Sequence, residues 1–376
     1  MTKRFFIALA LISALLSCRR MSDDVHYAAS EGGAVITLSN PYPAVGEKIT
    51  VTVSNAPEGA KVSVDFGDGS QGSGVVTSHT FENAGNFKIT AHINANGTES
   101  TVSAIAKAEI LALSRALRNK FDGTDNSVWV MSHRANTEDL SIPENSISAI
   151  NACIAAGADM VETDTYVTSD GVVVICHDAT INRTTTGSGT IGEMNLATIK
   201  SYFLLDRNGR QTSEIMPTLK EFLEACRGKI YVDLDYSPRA ATSAQVYSVV
   251  RECGMLEQVI FSCDDAEKVS EILTLDPTAH VYCSTAAGAE VIAQDRPWVA
   301  RTGKDYTADA LLAAKHKKGV PSCTIMDSTT GDIIESTLAA GDDAKISQII
   351  SNGMQMMMTD YTDTVLGYLR SHGYHD

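Results

Sequence analysis

Met160-Val161-Glu162-Thr163-Asp164 opens on two apolar residues and closes on two carboxylates one residue apart. Side chains two positions apart on a strand share a face, so Glu162 and Asp164 point the same way. Upstream, Gly157-Ala158-Asp159 ends a helical stretch, Glu144–Ala156, that begins behind Pro143. Proline suits that place because its missing N–H would be unpaired there anyway. Working outward, short apolar segments recur at Val128–Met131, Val172–Cys176, Ile230–Asp235, Val259–Cys263, His280–Cys283, Cys323–Met326 and Met356–Thr359. Helical stretches such as Thr218–Cys226, behind Pro217, separate most of them. Strands alternating with helices over roughly 250 residues have the rhythm and size of an α/β TIM barrel, (β/α)8. The barrel is expected over residues 127–376. Only the turn Thr168-Ser169-Asp170-Gly171 parts two of the candidate strands, which leaves the count of eight open at this point.

Polar chemistry collects where these strands end. Ser132-His133-Arg134 follows the first, Glu162 and Asp164 close the second, and His177-Asp178 follows the third. Asp233-Leu234-Asp235 repeats the two-residue carboxylate spacing. Carboxyl ends of barrel strands are where catalytic groups gather, whatever the chemistry. Carboxylates aimed together repel unless a cation lies between them, and oxygen donors of this kind favour Mg²⁺ or Ca²⁺. Histidines beside such an ion supply a base for a nucleophile and an acid for a leaving alkoxide.

His133-Arg134, Pro143-Glu144-Asn145-Ser146, Gly157 to Asp164, Thr168-Ser169-Asp170-Gly171, His177-Asp178, Ile181-Asn182-Arg183-Thr184-Thr185, Pro217-Thr218-Leu219 and Thr359-Asp360-Tyr361 together resemble the glycerophosphodiester phosphodiesterase family in order and spacing. The resemblance implies a TIM barrel that hydrolyses glycerophosphodiesters to glycerol phosphate and an alcohol with the help of a divalent cation. It implies that His133 and His177 are the acid/base pair and that Arg134 contacts the phosphate. Glu162, Asp164 and an acid of the Asp233 strand would be metal ligands, with Glu144 supporting His or metal. Residues 178–216 would be the insertion that covers the site. Two departures stand out. The family's His-Arg-Gly is His133-Arg134-Ala135 here, and its Glu-x-Lys is Asp233-Leu234-Asp235, which places a carboxylate where a phosphate-binding lysine is expected. Period two puts Asp233 and Asp235 on one face, so Asp235 is expected to join the metal shell, as Asp233 is. The alternatives are a phosphodiesterase for a different lipid-derived diester, a catalytically weakened surface binding or adhesion lipoprotein, and a glycoside hydrolase using paired acids. The two histidines and Arg134 fit phosphate better than an acetal.

Residues 31–110 read as all-β. Lys48–Ser54 and Phe87–Ile93 alternate polar and apolar residues, as half-buried strands do. Asp65-Phe66-Gly67-Asp68-Gly69-Ser70, with His79-Thr80-Phe81 and Gly85-Asn86-Phe87, resembles a PKD domain. That resemblance implies an immunoglobulin-like sandwich that serves as a spacer or as a contact module for a surface polymer or protein. Asp65 and Asp68 are expected to shape a turn. Ala106–Phe121 has a helical stripe through Ile110, Leu111, Leu113 and Leu117, giving a connector over 111–126.

At the N-terminus, Lys3 and Arg4 precede an apolar run, Phe5–Leu16, of signal-peptide length, and Leu15-Leu16-Ser17-Cys18 resembles a lipobox. Residues 1–17 are then a leader and 18–30 a tether, with Cys18 lipidated. The expected location is an exported lipoprotein of the outer membrane, held to the bilayer by that anchor alone. A formal charge of −16 excludes a nucleic-acid partner, which needs a basic stripe. The other cysteines, Cys153, Cys176, Cys226, Cys253, Cys263, Cys283 and Cys323, form no C-x-x-C pair and are expected as small buried hydrophobes.

Overall fold

A computed structural model describes residues 33–376, apart from 40–42, 44, 47, 84, 109–116, 118, 122, 237–240, 284, 293–297, 303–304 and 317–318. The expected leader, the tether with Cys18, and the connector positions Ile110, Leu111 and Leu113 lie outside the described residues. Among the described residues no helix is long and apolar enough to cross a membrane.

The N-terminal domain is two antiparallel sheets. One orders β1 (Val35–Leu38), β2 (Lys48–Ser54) and β5 (Val76–Thr80). The other orders β4 (Gln71–Ser73), β3 (Lys61–Asp65), β6 (Gly85–Ala95) and β7 (Thr98–Ala108). The alternation in the sequence becomes the core, with Ile49, Val51, Val53, Ile89, Ala91 and Ile93 buried and their neighbours facing outward. Asp65 and Asp68 do shape the β3–β4 turn. Gly67 N–H donates to Asp65 Oδ1 (2.8 Å) and Ser70 N–H to Asp68 Oδ1 (3.0 Å). Gly67 sits at φ +81°, and a Cβ there would lie 2.8 Å from the Lys88 carbonyl oxygen, so the turn needs glycine. The helical stripe expected from Ala106 starts too early, because β7 runs to Ala108. Pairing with β6 extends the chain there, as Gly85 faces Ala108 across the sheet.

The barrel is closed and parallel. Its staves are β8 (Trp129–Ser132), β9 (Met160–Val167), β13 (Tyr231–Asp235), β14 (Val259–Cys263), β15 (His280–Cys283), β16 (Trp298–Arg301), β17 (Gly319–Thr324) and β18 (Met356–Thr359). β18 pairs back onto β8. Val172–Cys176 is not a stave: β10 (Val173–Ile175) returns antiparallel along β9, as the four-residue turn before it allows. Trp298–Arg301 takes the eighth place, and the expected Cys323–Met326 strand is shifted to begin at Gly319. Pro321 lies inside that stave, and a proline in a run argues against a central strand when read from sequence.

Trp129, Met160, Tyr231, Ile260, Val299, Val320 and Met356 fill the barrel interior, each removal from water adding about 1.5–3 kcal/mol. Leu117 joins this cluster, and its N–H donates to Tyr231 Oη (2.9 Å). Leu117 thus packs into the amino end of the barrel, and polar chemistry is left to the carboxyl end. Residues 178–216 pack around a satellite core of Ile181, Ile191, Ile199, Leu204 and Met216, with a hairpin of β11 (Phe203–Leu205) and β12 (Gln211–Ile215). All seven described cysteines are buried and free, as expected of small hydrophobes.

Candidate active site

Parallel pairing of β9 with β13 places Asp233 beside Glu162 and Asp235 beside Asp164. The two-residue carboxylate spacings therefore meet side by side at one edge of the barrel mouth. One carboxylate oxygen from each of Glu162, Asp164 and Asp235 lies within 4.8 Å of the others. Glu162 and Asp164 are almost wholly buried. Burial first, then the charges of Asp164, Asp235 and Asp233, pushes the Glu162 carboxyl well above the usual range. That donor set suits a hard divalent cation, which would relieve the repulsion.

The four expected metal acids nevertheless divide. Asp233 stands outside the triad, because protein donors hold both of its oxygens. Ser262 Oγ donates to Oδ1, and Arg301 Nη2 donates to Oδ2 at 3.2 Å. The guanidinium of Arg301 lies over the Tyr282 ring, 4.2 Å from its centroid. Nothing in Trp298-Val299-Ala300-Arg301 marks this arginine as a site residue; only closure of the barrel brings the end of β16 across from β13.

His133 follows β8 in a short 3-10 turn, His133–Ala135. Its Nδ1 meets Asp360 Oδ1 at 2.8 Å, and its Nε2 is 4.0 Å from Glu162 Oε2. Asp360 follows β18 and is held in turn by Glu335, whose carboxylate accepts from the Asp360 N–H (2.7 Å) and from Thr359 Oγ1. Burial raises the Glu335 carboxyl to about 7. His177 follows β10 and makes the same kind of contact, Nδ1 to Asp178 Oδ1 at 2.7 Å. The hydrogen bond from Arg183 is the main reason that Asp178 is held at about 2. Both histidines line one cleft, of about 430 Å³, with Arg134, the acidic triad, Asp233 and Arg301.

Arg134 and Ala135 both adopt left-handed backbone, at φ +52° and +54°. The turn aims the Arg134 N–H at Glu162 Oε2, 3.0 Å away. Ala135 therefore occupies a position whose geometry suits glycine, at a cost of about 1–2 kcal/mol. Its methyl is fully buried in the core, which offsets part of that. The Arg134 side chain reaches Glu144 Oε1 through Nη1 (3.4 Å), while among the described residues its buried Nε has no hydrogen-bond partner. Glu144 is clamped by both Nη atoms of Arg183 at 2.8 Å each. Burial alone would raise its carboxyl, but Arg183 and Arg134 outweigh that and lower it. Arg183 thus ties the insertion to the mouth. Asn145, also left-handed at φ +56°, accepts from Thr163 Oγ1 (2.8 Å) and donates to Asp164 Oδ2 (3.5 Å). In the sequence Asn145 stands only as part of the Pro143–Ser146 motif, and Glu335 carries no signal at all.

Comparisons with known proteins agree with this architecture. A family model described as the glycerophosphoryl diester phosphodiesterase family matches residues 133–340, and a PKD domain model matches 39–110. A glycerophosphodiester phosphodiesterase from Caldanaerobacter subterraneus is 35% identical over 104 residues, 27% of this chain and 42% of that one. Glycerophosphodiester phosphodiesterase 1 of Mus musculus is 32% identical over 167 residues, 40% of this chain and 50% of that one. The chain thus spans about half the length of the curated relatives it matches. Among solved structures, a glycerophosphoryl diester phosphodiesterase from Parabacteroides distasonis superposes with a TM-score of 0.58 at 20% identity, over 68% of this chain and 92% of that one. One from Agrobacterium tumefaciens gives 0.52 at 20% identity, over 64% and 99%. At such identity these two structures speak for the fold. Because the family model spans more than half of the sequence, the chain belongs to the glycerophosphoryl diester phosphodiesterase family, with a PKD domain ahead of its barrel.

Proposed function

We propose that this protein hydrolyses glycerophosphodiesters to glycerol phosphate and an alcohol, using a divalent cation and His133 and His177 as the acid/base pair. One observation carries the reading: two histidines, each with Nδ1 on a carboxylate, share a cleft with three clustered carboxylates and Arg134. Glu162, Asp164 and Asp235 would hold Mg²⁺ or Ca²⁺, which when bound offsets negative charge on a phosphoryl group. Asp360 and Asp178 each accept a hydrogen bond from the Nδ1–H of their histidine, which fixes the tautomer and leaves Nε2 as the atom that exchanges protons. One histidine takes a proton from the nucleophile as the other gives one to the leaving alkoxide. Each such proton transfer contributes about 10²–10⁴-fold. Arg134 supplies a planar donor for a phosphoryl oxygen, steadied by Glu144. Asn145 holds Asp164 in place.

The test is hydrolysis of bis(p-nitrophenyl) phosphate and of a glycerophosphodiester by the full chain, with and without chelator. Metal-dependent release of p-nitrophenol and of glycerol phosphate supports the reading; neither product under any divalent ion refutes it. The PKD domain is assigned contact with a surface polymer or protein, and Cys18 the lipid anchor of an outer-membrane protein.

A further inference from the structure

We propose that Arg301 is a second residue, beside Arg134, that meets the substrate phosphate, in place of the lysine that β13 lacks, with Asp233 as the counter-ion that holds it rather than as a ligand of the metal. The inference rests on the phosphodiesterase reading and deepens it. Asp235 occupies the place where a cation was expected, so the β9–β13 side of the mouth carries four carboxylates, Glu162, Asp164, Asp233 and Asp235. Against them stands Arg134, already engaged by Glu144. An anionic diester entering such a mouth needs a second cationic contact; Arg183, which the insertion brings there, is bound by Glu144 and Asp178, and charge from another stave can supply it. Arg301, at the carboxyl end of β16, supplies that charge within the same cleft.

Its geometry suits the task. The Tyr282 ring beneath the guanidinium sets the plane of the fork, and Asp233 fixes its rotation through Nη2. Among the described residues the buried Nε has no hydrogen-bond partner, so the fork is not used up by its ion pair. A planar guanidinium locked in this way, with donor edges left over, is the side chain best shaped to take a phosphoryl oxygen. Asp233 is matched to the same role. Ser262 and Arg301 occupy its two oxygens, which explains why it stands apart from the triad although it shares a face with Asp235. In effect the two charges have exchanged places: the acid at position 235 joins the carboxylate cluster, and the phosphate cation arrives from the far wall. A guanidinium serving only to neutralise Asp233 would leave phosphate binding indifferent to its removal.

The test uses the full chain with saturating Mg²⁺ and compares wild type, Arg301→Met, Arg301→Lys and the double variant Arg301→Met/Asp233→Asn. The readouts are KM for bis(p-nitrophenyl) phosphate, inhibition by inorganic phosphate, and Mg²⁺ affinity measured separately. Arg301→Met should weaken phosphate inhibition and raise KM by roughly tenfold or more, the scale of one charge-assisted hydrogen bond. Arg301→Lys should recover part of that loss. The double variant removes the buried carboxylate together with its partner, so it keeps the fold even where the single variant does not. It should show the same phosphate loss at unchanged Mg²⁺ affinity. Wild-type phosphate inhibition in the double variant, or loss of Mg²⁺ with it, overturns the assignment. A wild type that cleaves diesters beside Arg301 variants of normal KM refutes Arg301 alone, whereas a wild type inert toward diesters and phosphate refutes the functional reading beneath it.

Discussion

Replacing Asp360 with Asn removes one charge from the back of His133. The Asp360 backbone stays where it is, because Glu335 accepts its N–H at 2.7 Å. What is lost is the charge on the 2.8 Å contact to Nδ1. A hydrogen bond to a charged partner contributes about 1.5–3 kcal/mol, and about 1.4 kcal/mol is a factor of ten in rate. The imidazolium that forms as His133 takes up a proton should lose that much stabilisation. Turnover should then fall by about ten- to a hundredfold, with KM nearly unchanged. A larger drop follows if the new amide donates to Nδ1 and imposes the wrong tautomer. Steady-state kinetics at saturating metal, alongside a thermal melt, measures both effects. The combination with His133→Ala sharpens the test, since groups that act as one unit are not additive. Asp360→Asn added to His133→Ala should cost nothing further. Full turnover in the single variant, or an additive loss in the double, would refute the view that Asp360 works through His133.

Other outcomes follow from the same geometry. Asp235→Asn and Asp235→Lys should both lose divalent-ion affinity, by calorimetric titration, and faster turnover with Lys at unchanged affinity would show that the position is a degraded phosphate site. Glu335 has its carboxyl raised by burial from 4.5 to about 7, so it contributes stability below pH 4.5 that is lost as pH rises toward 7. Melting temperature should therefore decline across that window, and Glu335→Gln should flatten the decline; an identical slope in both proteins contradicts the assignment. Cys18→Ala should move the protein from the membrane fraction to the soluble one, and unchanged membrane association would rule out the anchor.

Much of the mouth was legible because its chemistry sits in contiguous strings. His133-Arg134 and Glu162-Thr163-Asp164 each fall at the end of an apolar run, and period two alone tells that Glu162 and Asp164 share a face. The pairing of β9 with β13 then brings Asp235 to them, as that spacing foretold. Asp233 has the same spacing and a different fate, since its neighbours Ser262 and Arg301 come from β14 and β16. No periodicity within β13 encodes which residues stand across a closed barrel. The strand that carries Arg301 is illegible for a local reason: Trp298–Arg301 is only four residues long and directly follows Pro297. Val172–Cys176 misled in the opposite direction, because a buried hairpin arm is as apolar as a stave and only its antiparallel pairing tells them apart. Glu335 shows the limit most plainly. An acid in a short helix, Ile334–Ala339, looks like solvated surface, and its burial beneath Asp360 is a product of tertiary packing.

The most direct measurement follows the release of glycerol phosphate from a glycerophosphodiester by wild type, His133→Ala and His177→Ala, each before and after exhaustive chelation. Wild-type activity should vanish with chelator and return with Mg²⁺ or Ca²⁺, and each histidine variant should stay folded and lose roughly a hundredfold or more in turnover. Activity that survives chelation with no metal found by elemental analysis, or two folded histidine variants at near-wild-type turnover, would contradict the account.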